Sequence, residues 1–354
     1  PDAFLAEICE QPAAIRRAAG GLAVQVEQLE RVSGESARGG RTLLFTGMGG
    51  SYHACYPAIS QLADHGIPAL LVDTAELLHF RRAVLQAGAL VVVVSQSGRS
   101  AEIVRLGEQV RAQSPETRPF VVAVTNGTDN PLAAMADVAF DTRAGAELGP
   151  STMTFAASLV ALSGLARAMA GEDPQRSVEW MRLAAEEAAT GAERILDHAE
   201  EEAEVLLQWH GGRTTTILLG RGPARAASEM GALLLKESVG IPAEALQAAQ
   251  FRHGPLELAG PNLAAFVVAT EEETSELDLQ LAADLLEAGS AVLVVTRDGR
   301  SPSGAQGVGI GAIDRMLAPA VSIVPAQLLA WRLATERGRT PGVLTRASKV
   351  TTDE

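Results

Sequence analysis

The stretch LVVVVSQSGRSAEIVRLG, residues 90–107, decides the fold. An unbroken β-branched run too short for a membrane span reads as a strand buried on both faces, as in parallel sheets. It runs straight into Ser95, Gln96, Ser97, Gly98 and Ser100, and then into a helical pattern. Hydroxyls, an amide and unpaired backbone N–H groups therefore converge where the positive end of a helix dipole adds to them, which is a cradle for an anion. An ordinary hydroxyl-rich loop with Ser100 as helix N-cap is the plainer alternative.

Working outward, Val-, Leu- and Ile-rich segments alternate with helical ones, the signature of βαβ units. Strands are expected at 42–47, 69–73, 90–95, 120–125 and 138–142, enough for one doubly wound sheet. Apolar helix is expected from Thr154 to Ala170, and Ala- and Glu-rich helix from Val178 to His210. Strands resume at 214–220, 264–270 and 291–296, with a short edge at GVGIGA. Before the first strand, Phe4, Leu5, Ile8 and Ile15 repeat like the face of a helix laid on a core.

The two halves resemble each other. TLLFTGMGGSYHACYPAISQLADHGIPALL and TILLGRGPARAASEMGALLLKESVGIPAEA both read strand, glycine turn, helix, then Gly-Ile-Pro, with nineteen residues from turn glycine to that tripeptide in one and twenty in the other. The fold class is therefore α/β: two domains, each a doubly wound parallel sheet flanked by helices, related by internal duplication. The expected division is an N-terminal helical segment (1–30), a first domain that binds phosphate (31–175), a helical linker (176–210) and a second domain with a C-terminal tail (211–354). The counterpart of VVVVSQSGRSAEIV is FVVATEEETSELDL, where Glu271, Glu272 and Glu273 replace hydroxyls, so only the first copy suits an anion. A second glycine-rich turn, GMGGSYHA at 47–54, also follows a strand, and the two turns together favour a phosphate held by Ser51, Ser95, Ser97 and Ser100.

Composition narrows the function. A formal net charge of −14 argues against nucleic-acid and anionic-membrane binding. Cys9 and Cys55 are the only cysteines and lie far apart, so no oxidising compartment and no thiolate zinc site is required. No run approaches a spanning helix and the N-terminus lacks the order of a signal peptide, so a cytoplasmic location is expected. Dispersed histidines and an incomplete G-x-G-x-x-G give no reason to expect a metal or nucleotide cofactor.

GMGGSYHA, SQSGRSAEI, TNGTDNPLAAMAD, AGAELGPSTMTF and FRHGPLEL together resemble the sugar isomerase (SIS) fold. The arrangement is similar to the tandem isomerase module of glucosamine-6-phosphate synthase and to the related aminosugar-6-phosphate deaminases and ketosamine-phosphate deglycases. The resemblance implies that Ser51, Ser95, Gln96, Ser97 and Ser100 hold a sugar phosphate and that Thr152 lies near the sugar. It further implies that Glu237 moves a proton between C1 and C2, and that His253, donated by a neighbouring subunit of a homodimer, opens the ring. A tuned carboxylate and a near-neutral imidazole suit those two tasks. The family's near-terminal lysine, a Schiff-base former, falls at Ser348 or, after a one-residue slip, at Lys349, with Asp353 and Glu354 following as solvated charge. One turn before Glu237, where the synthase has a lysine, stands Leu234.

The chain enters the isomerase region directly, so neither a glutaminase domain nor a DNA-binding domain is expected. The resulting expectation is an aminosugar-6-phosphate deaminase, towards which Arg252 in FRHGP leans slightly. A plain aldose-ketose phosphate isomerase and a glutaminase-less synthase are the alternatives within the class, and a non-catalytic sugar-phosphate sensor is the alternative outside it.

Overall fold

The computed structural model describes residues 2–38, 40–86 and 88–352; Asp353 and Glu354 lie outside them. Two compact units are present. One comprises residues 13–146, 153–185 and 346–354, and the other residues 1–12, 147–152 and 186–345.

The first unit is built on β1 (Thr42–Gly47), β2 (Ala69–Leu71), β3 (Ala89–Val94), β4 (Phe120–Thr125) and β5 (Val138–Asp141). They are all parallel, in the order β2-β1-β3-β4-β5. Central strand β3 is buried along its whole length, as its valine run requires. Leu44, Val91, Val93, Ala123, Leu77, Ile103 and Leu106 form one shared core between the sheet and its helices.

The second unit repeats the plan with β6 (Thr215–Gly220), β7 (Ala243–Gln247), β8 (Leu263–Val268), β9 (Ala291–Thr296) and β10 (Gln306–Gly309). Their order, β10-β9-β8-β6-β7, is the same topology read from the other edge. The duplication seen in the sequence is thus a duplication of sheet connectivity.

Differences from expectation are local. Strand β7 was not expected, because AEALQ has no β-branched residue; it is a strand because β6 offers it a ladder, Thr216 facing Ala243 through Gly220 facing Gln247. The helical stretch expected as Val178 to His210 is two helices, Pro174–Leu196 and Ala199–His210, interrupted at His198, whose backbone (φ −125°, ψ 37°) leaves the helical region. At the N-terminus, Phe4, Leu5 and Ile8 are buried on helix Ala3–Cys9, and Ile15 on helix Gln11–Ala23. Among the described residues, no helix is long and apolar enough to cross a membrane.

Candidate active site

In each sheet the chain leaves the first and third strands toward opposite edges. Right-handed crossovers then put the following helices on opposite faces and open a crevice at the carboxyl ends of those two strands. The crevice in the first unit lies between the turns after β1 and β3, which carry Ser51 and the loop Ser95–Ser100.

Backbone hydrogen bonds order the hydroxyls of this loop. Ser95 Oγ accepts from the Gly98 amide at 3.1 Å, and Ser97 Oγ accepts from the Arg99 amide at 3.2 Å. A hydroxyl whose lone pair is taken by the backbone keeps its own proton for another acceptor, so both serines are set as donors. Ser100 stands at the N-cap of helix Ala101–Arg111 with extended backbone, yet its side chain makes no capping hydrogen bond. Ser100 thus takes the N-cap position without spending its hydroxyl on the cap. Gln96 and Ser51 are partly exposed, Ser51 in the first turn of the short helix Gly50–His53 that follows β1.

The turn after β4 fixes the loop from behind. The Asn126 amide donates to the Gln96 carbonyl at 3.1 Å, and the Arg99 guanidinium donates to the Asp129 carbonyl at 2.6 Å. Asn130 caps helix Pro131–Met135 through its Oδ1 and donates to the Gly127 carbonyl. Gly98 sits at φ +61° directly against it: a Cβ there would lie 2.0 Å from Asn130 Oδ1. The local signal for Asn130 lies within TNGTDNPLAAMAD, where Asn followed by Pro is the pattern of a helix start.

The C-terminal tail also reaches this loop. The Ala101 amide, first of the helix, donates to the Thr351 carbonyl at 3.0 Å, two residues beyond the partly buried Lys349.

The matching crevice in the second unit is differently lined. Val94 pairs with Gly47 and Val268 with Gly220. The next amides, Ser95 and Ala269, donate to equivalent carbonyls, Val124 and Val295. The helix N-caps Ser100 and Thr274 then follow at the same spacing. This register makes Ala269 the counterpart of Ser95 and Glu271 that of Ser97, one residue from the correspondence the sequences suggested. Gly49 (φ +52°) matches Gly222 (φ +50°), so Ser51 corresponds to Ala224. Glu271 is buried, its Oε2 held by Arg315 (2.9 Å) while its Oε1 has no partner. Burial pushes its carboxyl up to about 7, against the pull of Arg315. Beside it, Arg221 donates to the buried Asp278 at 2.6 Å. In the second copy Glu271, paired with Arg315, thus stands where the first copy has Ser97.

Glu237, half-buried, lies in a π-helical turn, Leu235–Val239, that ends helix Arg225–Leu234. Such turns push one residue out of the regular ladder and are frequent at functional sites. His253 is exposed on the turn after helix Ala248–Phe251, next to Arg252, which pairs with Asp284 at 2.7 Å. Arg252 therefore anchors the turn that presents His253. Leu234 is completely buried. Thr152 is also completely buried, its hydroxyl donating to Glu147 Oε1 at 3.1 Å and its amide to the same atom at 2.8 Å. Thr152 and Glu147 belong to the second unit, with Glu237 and His253, while the serine loop and Lys349 belong to the first. Among the described residues, no cluster of three or more His, Cys, Asp or Glu is arranged to hold a metal.

The SIS domain family model matches residues 38–168 and 213–337, one match on each sheet. The chain belongs to the SIS domain family. A glutamine–fructose-6-phosphate aminotransferase (isomerizing) from Pyrobaculum aerophilum is 28% identical over 361 residues, covering 100% of this SIS-domain chain and 58% of the relative. The C-terminal domain of glucosamine-fructose-6-phosphate aminotransferase from Francisella tularensis superimposes with a TM-score of 0.85 at 22% identity, over 97% of this chain and 98% of that one. A glucosamine-6-phosphate deaminase from Thermotoga maritima superimposes with a TM-score of 0.74 at 18% identity, over 99% and 100%. At those identities the two structures speak for the fold. The chain spans a little over half the length of the aminotransferase it matches.

Proposed function

We propose that this chain is a phosphosugar enzyme acting at C1 and C2 of a hexosamine 6-phosphate: an aminosugar-6-phosphate deaminase converting glucosamine 6-phosphate and water to fructose 6-phosphate and ammonia. The observation that carries the reading is the serine loop. Ser95 and Ser97 each accept a backbone amide and so keep a hydroxyl proton to donate, and Ser100 makes no side-chain capping bond at its helix start. That is a dianion site without lysine, and its counterpart in the second copy has Ala224, Ala269 and Glu271 in place of Ser51, Ser95 and Ser97, keeping the hydroxyl at Thr274.

The chemistry follows from the residues. With Ser51, Ser95, Gln96, Ser97 and Ser100 on the phosphate, His253 passes a proton at the ring oxygen and opens the sugar. Glu237 takes the proton from C2 of the open-chain aldehyde and returns it to C1. The carbonyl oxygen gains a proton, the nitrogen loses one, and the product is a C1 alcohol with a C2 imine. Water adds at C2, ammonia leaves, and the ketose remains. Binding energy from the unreactive phosphate end serves positioning at the carbons. Lys349 is the residue for a Schiff base with the ketose, and its place two residues from Thr351 supports that role. The exposure of His253 supports a homodimer in which each copy donates this residue to the other's site.

The matched aminotransferases favour a second reading, the same proton transfer run toward glucosamine 6-phosphate with ammonia supplied from elsewhere. The test is production of ammonia and fructose 6-phosphate from glucosamine 6-phosphate, with glucose 6-phosphate and fructose 6-phosphate run in deuterated water. Ammonia release establishes the deaminase. Deuterium uptake without ammonia supports the amination or plain isomerisation reading, and binding without either refutes catalysis.

A further inference from the structure

The π-helical turn that carries Glu237 is closed by a residue remote in sequence. Helix ends leave carbonyls without intrahelical donors. Here the Gly240 amide, at φ +72°, returns to the carbonyls of Leu235 (3.2 Å) and Lys236 (3.1 Å). The carbonyl of Ser238, the residue after Glu237, instead accepts from Arg339 Nε at 3.1 Å. The Arg339 guanidinium also packs against Gly240, where a Cβ would come within 2.8 Å of its Nη1. Arg339 stands just beyond helix Val324–Glu336, and its own amide is tied to the Ala334 carbonyl at 2.9 Å.

We propose that Arg339 is a positioning residue for Glu237: its guanidinium, seated on Gly240, holds the π-turn in register by satisfying the Ser238 carbonyl. This rests on the proposed role of Glu237. A π-turn competes with the ordinary α-helical ladder, and slipping by one residue turns a side chain about 100° around the axis. A carboxylate so displaced no longer reaches C1 and C2, while phosphate binding is untouched. Gly240 is thus explained twice, by its left-handed backbone and by the guanidinium packed over it.

The test compares Arg339→Met and Arg339→Lys with the unaltered chain. For Arg339→Met, kcat with glucosamine 6-phosphate is expected to fall by about 10- to 100-fold, the scale of a misplaced catalytic group, with KM unchanged. Arg339→Lys, which can still donate to the Ser238 carbonyl, is expected to recover most of the loss. Amide hydrogen exchange of the segment 235–240 is measured alongside, because it reads the turn whether or not the chain deaminates this sugar. Faster exchange there in Arg339→Met, restored by lysine, supports the proposal even if the unaltered chain releases no ammonia, an outcome that sinks only the functional reading. Unchanged exchange, unchanged kcat in an active chain, or a loss that lysine does not recover overturns it.

Discussion

Glu271 offers the sharpest physical test of the second crevice. Its Oε2 is paired with Arg315, but its buried Oε1 meets no donor, so ionisation leaves one charged oxygen uncompensated. Burial accordingly raises the carboxyl from 4.5 to about 7, with Glu273 adding to the rise and Arg315 and Arg297 opposing it. A carboxyl whose pKa is higher folded than unfolded binds more protons in the native state, so its contribution to stability falls as pH rises from 4.5 to 7 and stays reduced above. The full difference is about 3 kcal/mol. A glutamine in place of Glu271 mimics the protonated form at every pH. The stability of Glu271→Gln relative to the unaltered chain should therefore improve by about 3 kcal/mol between pH 4 and pH 8. Urea unfolding followed by Trp209 and Trp331, both in the same unit, reads this directly. A difference independent of pH, or one moving the other way, refutes the account of a half-satisfied buried carboxylate.

Removing one hydroxyl donor to a charged phosphate costs about 1.5–3 kcal/mol, so Ser97→Ala should weaken glucosamine 6-phosphate binding by roughly 10- to 100-fold in a calorimetric titration. Ser97→Asp, which copies the acidic character of Glu271 into the first crevice, should abolish binding while thermal unfolding stays near that of Ser97→Ala. Glu237→Gln is expected to lose ammonia release and C2 deuterium exchange by about 10²- to 10⁴-fold, with phosphate affinity kept; equal turnover would remove Glu237 from the mechanism. Gly98→Ala drives a methyl onto Asn130 at an unfavourable φ, so a loss of about 1–3 kcal/mol together with weaker phosphate binding is expected from paired melting and titration.

What the sequence made legible is what local chemistry determines. The valine run, the serine turn and the two glycine turns are contiguous signals, and they locate β3 and β1 to within a residue. Strand β7 is not legible in the sequence because its pairing with β6, not its composition, makes it a strand. The match of Glu271 to Gln96 was one residue out because both loops run on from a hydrophobic strand without a landmark. Only the equivalent hydrogen bonds to β4 and β9 fix the count. Two contacts were beyond any local reading: the Thr351 carbonyl on the Ala101 amide, and Arg339 on the Ser238 carbonyl, 101 positions apart. The role of a side chain such as Thr152, spent on Glu147, is likewise set by a loop conformation that residue type does not dictate.

The unit that carries Glu271 also buries a titrating group of opposite sign. His210 is fully buried at the end of helix Ala199–His210, with Nε2 on the Thr216 hydroxyl and Nδ1 without a partner. Burial, helped by Arg337 and Arg213, lowers its pKa from 6.5 to about 4. A histidine kept neutral in the fold loses stability as pH falls through that window, again by up to about 3 kcal/mol. Glu271 costs stability on the alkaline side, where Asp278, also raised by burial, adds to it. Between about pH 4.5 and 6.5 the His210 and Glu271 slopes nearly cancel, one cost of about 3 kcal/mol receding as the other sets in. The consequence is visible only in the variants. Glu271→Gln should leave the His210 slope, with stability rising toward neutral pH, and His210→Gln should leave the Glu271 slope, with stability falling over the same range. Two curves that run parallel to the unaltered chain would show that neither group titrates in the fold as its burial requires.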